Sequence, residues 1–338
     1  MEFIEFIPRI VKGFEFKQGS MVLLNFWGEN KDLDILDRFA IEIGKLGAVP
    51  VKIQQSREFA KDYYTEVSEE YLVFPDKYFE IYKMADSVVD IFTYTPSFHQ
   101  EFPKEKMSLY GQYMQKLFAA LGHNKDKFIQ VRVPTEEIAE QEDVDLAVYK
   151  NAMFSALMVD LDNLKKEADL LLSKLAGKKK IKVITSADHT LEFLLGERTW
   201  NKDCGDGDIP CGEIYIAPLE ETVNGSIVIE KVILEKQEYL NVLFKFVNGK
   251  LVDCSEEEIF AFIKRFPGDS DIFAEFGIGL NDKVTKLTGC QVIDEKIKGT
   301  AHIAIGMNNL FGGKNNTPLH LDFIFRPERV TADEEIIM

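Results

Sequence analysis

Met21-Val-Leu-Leu-Asn-Phe26, closed by Gly28, is a short apolar run that reads as a buried strand. Leu33–Leu46 follows with apolar residues at helical spacing, and Ala48-Val-Pro-Val-Lys-Ile53 returns to strand. Ser87–Phe92 and Lys127–Val133 continue the rhythm as further strands beside helical segments. Strands alternating with helices predict an α/β domain, a mostly parallel sheet with flanking helices. Asp145–Ala176 reads as one helical stretch, with Met153, Leu157, Leu161, Leu164 and Leu171 along one apolar stripe. It stops at Gly177-Lys-Lys-Lys180, a glycine followed by basic residues where the helix dipole is negative. That places a boundary between a domain over residues 1–178 and another over 179–338.

Beyond the boundary, strand-like pieces dominate: Lys182–Thr185, Thr190–Leu195, Gly212–Ile216, Gly225–Leu234 and Tyr239–Val247. Asn224-Gly225 and Asn248-Gly249 are hairpin turn signals. One helix is expected at Ser255–Phe266, with Ser255 as N-cap and Glu258 completing a capping box. The second domain is therefore expected to be mostly β, a barrel or a strongly curved sheet.

With 338 residues, 46% of them hydrophobic and 29% charged, the chain can build two packed cores. Its net charge of −17, from 40 basic and 57 acidic residues, disfavours nucleic acid and anionic lipid as partners. No apolar run approaches the ~20 residues of a membrane span. MEFIEFIPRI at the start lacks the basic and apolar regions of a secretory signal, so a cytoplasmic location is expected. The cysteines Cys204, Cys211, Cys254 and Cys290 form no CxxC pair, which fits free thiols in a reducing compartment rather than a structural zinc.

Chemistry concentrates near the end. His320-Leu-Asp322 lies in the strand-like LHLDFIF, where residues two apart point to one face, so imidazole and carboxylate converge. His302 sits in a second alternation, AHIAIG, upstream of the glycine-containing LFGGKNN. Glu213 leads into Ile214-Tyr215-Ile216, and Glu275 is enclosed by Phe273-Ala274 and Phe276-Gly277. A carboxylate in such apolar company costs several kcal/mol unless paired or bound to a cation, and basic residues nearby in sequence are few. Three carboxylates and two imidazoles suit a pair of divalent ions such as zinc, cobalt or manganese. Such ions activate a water, and a neighbouring carboxylate, Glu275 or Glu213, can act as general base.

At these residues the chain resembles the M29 metallo-aminopeptidases, the aminopeptidase T group. The resemblance runs from about Asp188 to Phe325 through Gly207-Asp-Ile-Pro-Cys-Gly-Glu213-Ile-Tyr-Ile-Ala-Pro218, Ala274-Glu275-Phe-Gly-Ile-Gly279, Asp294-Glu-Lys-Ile-Lys-Gly-Thr-Ala-His302-Ile-Ala-Ile-Gly306 and His320-Leu-Asp322. It implies two metal ions held by Glu213, Glu275, His302, His320 and Asp322, and a homodimer cutting N-terminal residues from short peptides within an enclosed cavity. Two features depart from the family: the His302–His320 connection is short, and Met307-Asn308-Asn309 stands where the family carries a tyrosine. The 2,5-dihydroxypyridine dioxygenases resemble the same superfamily and imply an alternative. In it Fe(II) is held by His302, His320 and Asp322, with His189 as a base. A non-catalytic metal- or peptide-binding relative is a third reading.

Overall fold

The computed structural model describes residues 2–338. The chain divides into two compact units, Met1–Leu157 with Gly205–Pro210, and Met158–Cys204 with Cys211–Met338. Numbered along the chain, the strands are β1 (Met21–Trp27), β2 (Val49–Gln54), β3 (Ser87–Phe92), β4 (Lys127–Arg132), β5 (Lys180–Ser186), β6 (His189–Leu194), β7 (Asn201–Asp203) and β8 (Asp208–Ile209). They continue as β9 (Glu213–Ile216), β10 (Asn224–Leu234), β11 (Gln237–Val247), β12 (Lys250–Cys254), β13 (Phe273–Gly279), β14 (Ala301–Gly306), β15 (His320–Phe325), β16 (Arg329–Ala332) and β17 (Glu335–Ile336).

The first unit is a parallel sheet in the order β2-β1-β3-β4-β8 with flanking helices. β1 and β3 are buried almost throughout, which is why they read as continuous apolar runs rather than alternations. Buried polar residues interrupt them, Asn25 on β1 and Ser87 and Asp90 on β3. The Asp90 Oδ1 atom accepts from Asn25 Nδ2 and Trp27 Nε1, each at 2.7 Å, while its Oδ2 has no hydrogen-bond partner among the described residues. Burial pushes this carboxyl up to about 7.

Helix forms on both sides of Met158, but not through it. Leu146–Ala156 and Leu161–Leu175 are separate helices, because the Asp160 carboxylate caps the second one by accepting from Asn163 N at 3.1 Å. The single stretch expected over Asp145–Ala176 is therefore broken, and the second helix belongs to the second unit.

The second unit contains two antiparallel sheets, β12-β11-β10-β6-β5-β16-β17 and β15-β14-β13-β9-β7, rather than a closed barrel. Their apolar faces meet through aromatic rings: Phe193 lies 5.3 Å from Phe276, Phe246 lies 5.2 Å from Phe273, and Phe244 lies 4.7 Å from Phe323. Local turn chemistry differs from the sequence reading in two places. The β10–β11 hairpin turns at Glu235-Lys236, both with positive φ (50° and 68°), whereas Asn224-Gly225 opens β10. Gly225 is needed there because a Cβ would lie 2.1 Å from the Thr190 carbonyl oxygen on β6. Asn248-Gly249 does form a turn, between β11 and β12. The expected helix spans Glu257–Lys264 with Glu256 as N-cap, since the Ser255 hydroxyl is taken by Leu243 N at 3.0 Å.

Candidate metal centre

Glu213, Glu275, His302, His320 and Asp322 all lie on the β15-β14-β13-β9 portion of one sheet. Alternation assigns Ile214, Phe276, Ile278, Ile303 and Phe323 to the core face, and it turns the five polar residues to the other. A bulge on β13 between Phe273 and Glu275 lets Phe273 and Phe276 both face the core while Glu275 faces the site. Register completes the arrangement. Ala304 lies between Glu275 and Asp322 on the flanking strands, and Gly277 lies between Tyr215 and His302. Strands are spaced ~4.8 Å apart, so the small Ala304 side chain leaves open the gap that the two carboxylates lean into.

Glu275, His302 and Asp322 each bring one ligand-type atom to within 4.8 Å of the others. His302 Nε2 lies 3.2 Å from Glu275 Oε1 and 3.5 Å from Glu213 Oε2. His320 Nε2 lies 3.4 Å from Asp322 Oδ2 and 3.7 Å from Glu275 Oε2. The ring of His320 is oriented from behind, since its Nδ1 lies 2.7 Å from the Met307 carbonyl and donates to it. That bond leaves Nε2 as the atom facing the carboxylates. Asp322 is oriented by Gln291 Nε2, which donates to Oδ2 at 2.5 Å. Phe311 packs edge-on against His320, and Tyr215 packs against Phe311, each pair 5.7 Å between centroids.

The charges are strongly coupled. Burial pulls the imidazoles toward the neutral form, but the carboxylates outweigh it. Its hydrogen bond to Glu275 and the charge of Glu213 hold His302 up at about 9, and Asp322 and Glu275 hold His320 at about 10. Burial raises Glu213 and Glu275. Asp322 is also pushed upward by burial, yet the charge and hydrogen bond of His320, with the charges of His302 and Lys296, together more than offset this and leave it low. Glu213 Oε2 and His302 Nδ1 are buried with no hydrogen-bond partner among the described residues. An orphaned carboxylate oxygen beside converging N and O donors fits a divalent cation, which would displace the protons that the imidazoles otherwise hold.

Residues 9–331 match the model of the thermophilic metalloprotease (M29) family. The chain belongs to the M29 family. M29 membership makes this a metallopeptidase-family protein over nearly its whole length. Among solved structures, AmpT from Thermus thermophilus superposes with a TM-score of 0.66 at 16% identity, covering 97% of this chain and 94% of that one. The 2,5-dihydroxypyridine dioxygenase from Pseudomonas putida KT2440 superposes with a TM-score of 0.63 at 14% identity, covering 98% and 94%. At these identities both likenesses establish the fold. No curated protein matches the sequence significantly.

The five residues singled out from sequence thus share one face of one sheet in this M29 chain. His189 lies on β6 in the other sheet of the second unit, its Nδ1 3.0 Å from Ser226 Oγ. Sequence reasoning missed Lys296 and Gln291, and read Gly277 only as a loop glycine that lets the backbone approach a ligand. The ammonium of Lys296 lies 2.5 Å from Glu213 Oε1. Gly277 lies inside β13 rather than in a loop, and it is required for space: a Cβ there would lie 2.1 Å from His302 Cε1 and Nε2.

Proposed function

We propose that this chain is a metal-dependent aminopeptidase that removes the N-terminal residue from short peptides and works as a homodimer. The observation that carries the reading is the convergence of Glu275, His302 and Asp322, with Glu213 and His320 beside them, in a chain of a metalloprotease family. In this reading Glu213, Glu275, His302, His320 and Asp322 hold two divalent ions, zinc, cobalt or manganese. Ions held there supply an activated water and polarise the scissile carbonyl.

The protein's own groups do the rest. The Met307 carbonyl and Gln291 fix which atoms of His320 and Asp322 face the ions. Glu275 or Glu213, both raised by burial, takes the proton of the attacking water and returns it to the departing amine. Phe311, against His320, gives the site an apolar wall. Among the described residues no helix is long and apolar enough to cross a membrane, which agrees with an enzyme acting on peptides in solution.

Metal content of the purified protein, paired with cleavage of a leucyl chromogenic substrate, tests the reading. Two ions of zinc, cobalt or manganese per chain with chelator-sensitive cleavage is the expected result. One iron per chain, with oxygen uptake on dihydroxypyridines and no cleavage, would overturn it in favour of a ring-cleaving dioxygenase. Bound metal with neither activity would mark a non-catalytic relative.

A further inference from the structure

Lys296 is only 1% exposed, and its backbone is fixed on both sides, N–H to Ile293 O at 3.2 Å and C=O from Asn281 N at 2.7 Å. Its ammonium lies 2.5 Å from Glu213 Oε1, 3.0 Å from Glu295 Oε1 and 3.6 Å from Asp203 Oδ2. Asp203 and Glu213 are themselves cross-strand partners, so three acidic residues are gathered on one buried cation. A buried ion pair of this kind is weak evidence for stability, because desolvation consumes most of the Coulomb gain. Its value has to be sought elsewhere. The other oxygen of Glu213 makes no hydrogen bond among the described residues and faces His302 Nε2 at 3.5 Å.

We infer that Lys296 is a positioning residue that claims Glu213 Oε1, so that Glu213 meets a divalent ion through Oε2 alone. The inference rests on the reading of Glu213 as a metal ligand. The ammonium does two things in this arrangement. It pins the carboxylate rotation, which decides where Oε2 points. It also supplies the counter-charge to Asp203, Glu213 and Glu295, whose carboxylate oxygens lie within 3.6 Å of it. Loss of the ammonium frees the carboxylate to rotate, so Oε2 is no longer held toward the centre.

The test is calorimetric titration of the metal-free full chain with zinc alone, following affinity and stoichiometry rather than turnover, with thermal unfolding to establish that each variant folds. Lys296→Met keeps the length of the side chain and removes the charge. It should weaken the binding of one ion by about 10–100-fold, the range for losing a group that orients a ligand. Lys296→Ala should show the same loss, and added propylammonium should restore affinity, because the small cation can re-enter the vacated space beside Glu213. Unchanged zinc affinity in Lys296→Met would overturn the inference. So would failure of propylammonium to restore Lys296→Ala, whether because that variant binds no zinc or because it does not fold. Wild-type protein that takes up no zinc would overturn the metal reading itself, and this inference with it.

Discussion

Gly277→Ala adds a single methyl group, and the structure says where it goes. Gly277 does not occupy the left-handed backbone region, so alanine costs nothing in φ and the effect is purely steric. The new Cβ would lie 2.1 Å from both Cε1 and Nε2 of His302. Ordinary contact begins at 3.4 Å, so the imidazole must retreat by about 1.3 Å inside a close-packed site. His302 is 1% exposed, so the shift has to be absorbed within the buried site. A retreat of that size also stretches its 3.2 Å contact with Glu275 beyond hydrogen-bonding range. Overpacking of this kind costs about 1–3 kcal/mol of stability. The displaced ligand should weaken metal binding by about 10–100-fold, the loss typical when the support of a ligand is disturbed. Zinc titration of the metal-free variant reads the second quantity, and urea unfolding of the same sample reads the first. If Gly277→Ala binds zinc as tightly as wild type while remaining folded, His302 is not a ligand in the position described, and the assignment of the centre fails.

Other expectations follow from the same geometry. Glu275→Gln preserves shape but cannot take a proton, so turnover of a leucyl substrate should fall by about 10²–10⁴-fold, and normal steady-state rates would remove Glu275 as the base. Stripping the metal with a chelator should lower the melting temperature, since zinc held at ~100 times its dissociation constant stabilises the native state by about 2.7 kcal/mol; coincident melting curves with and without chelator would contradict a native-state metal site. Asp90 provides a test away from the centre. Its folded value, pushed up to about 7, lies above that of an unfolded carboxyl, so its contribution is complete in acid and is lost as pH rises through about 7. Asp90→Asn retains the acceptor used by Asn25 and Trp27 and should gain on the order of 2–4 kcal/mol relative to wild type between about pH 5 and about pH 9, measured by urea midpoints; parallel pH profiles would show that Asp90 does not titrate there.

Much of this was legible before any coordinates. The β1–β4 rhythm announced a parallel sheet because strands buried on both faces leave long apolar runs, and MVLLNF and SVVDIF are such runs. HLD in an alternating segment placed two donors on one face for the same reason that any strand does. The less legible parts all involve partners distant in sequence or backbone choices that residue type does not dictate. Lys296 reaches Glu213 across 83 residues, so a search for nearby basic residues could not find it. Glu235-Lys236 takes positive φ without glycine or asparagine to signal the turn. Ser255 has the composition of a cap, but its hydroxyl is spent on a strand. Met307-Asn308-Asn309, notable in sequence for the tyrosine it lacks, supplies the carbonyl that orients His320.

The β13 bulge reaches further than the aim of Glu275. The carbonyl of its extra residue, Ala274, accepts from Asn308 Nδ2 at 3.2 Å, and the same amide reaches Glu220 at 3.0 Å. Glu220 also receives Lys314 N and the Arg198 guanidinium, and Asn315 Nδ2 donates to the Gly306 carbonyl on β14 at 2.7 Å, so both ends of the 308–315 loop are tied to the sheet. At its crest Leu310 is 79% exposed, while Phe311 beside it leans on His320 and the N–H groups of Phe311 and Gly313 return to the Asn308 carbonyl. The loop is thus a bracket on a fixed mount: a change at the exposed Leu310 alters what the protein presents beside the centre, while the bonded ends keep the strands beneath it where they are.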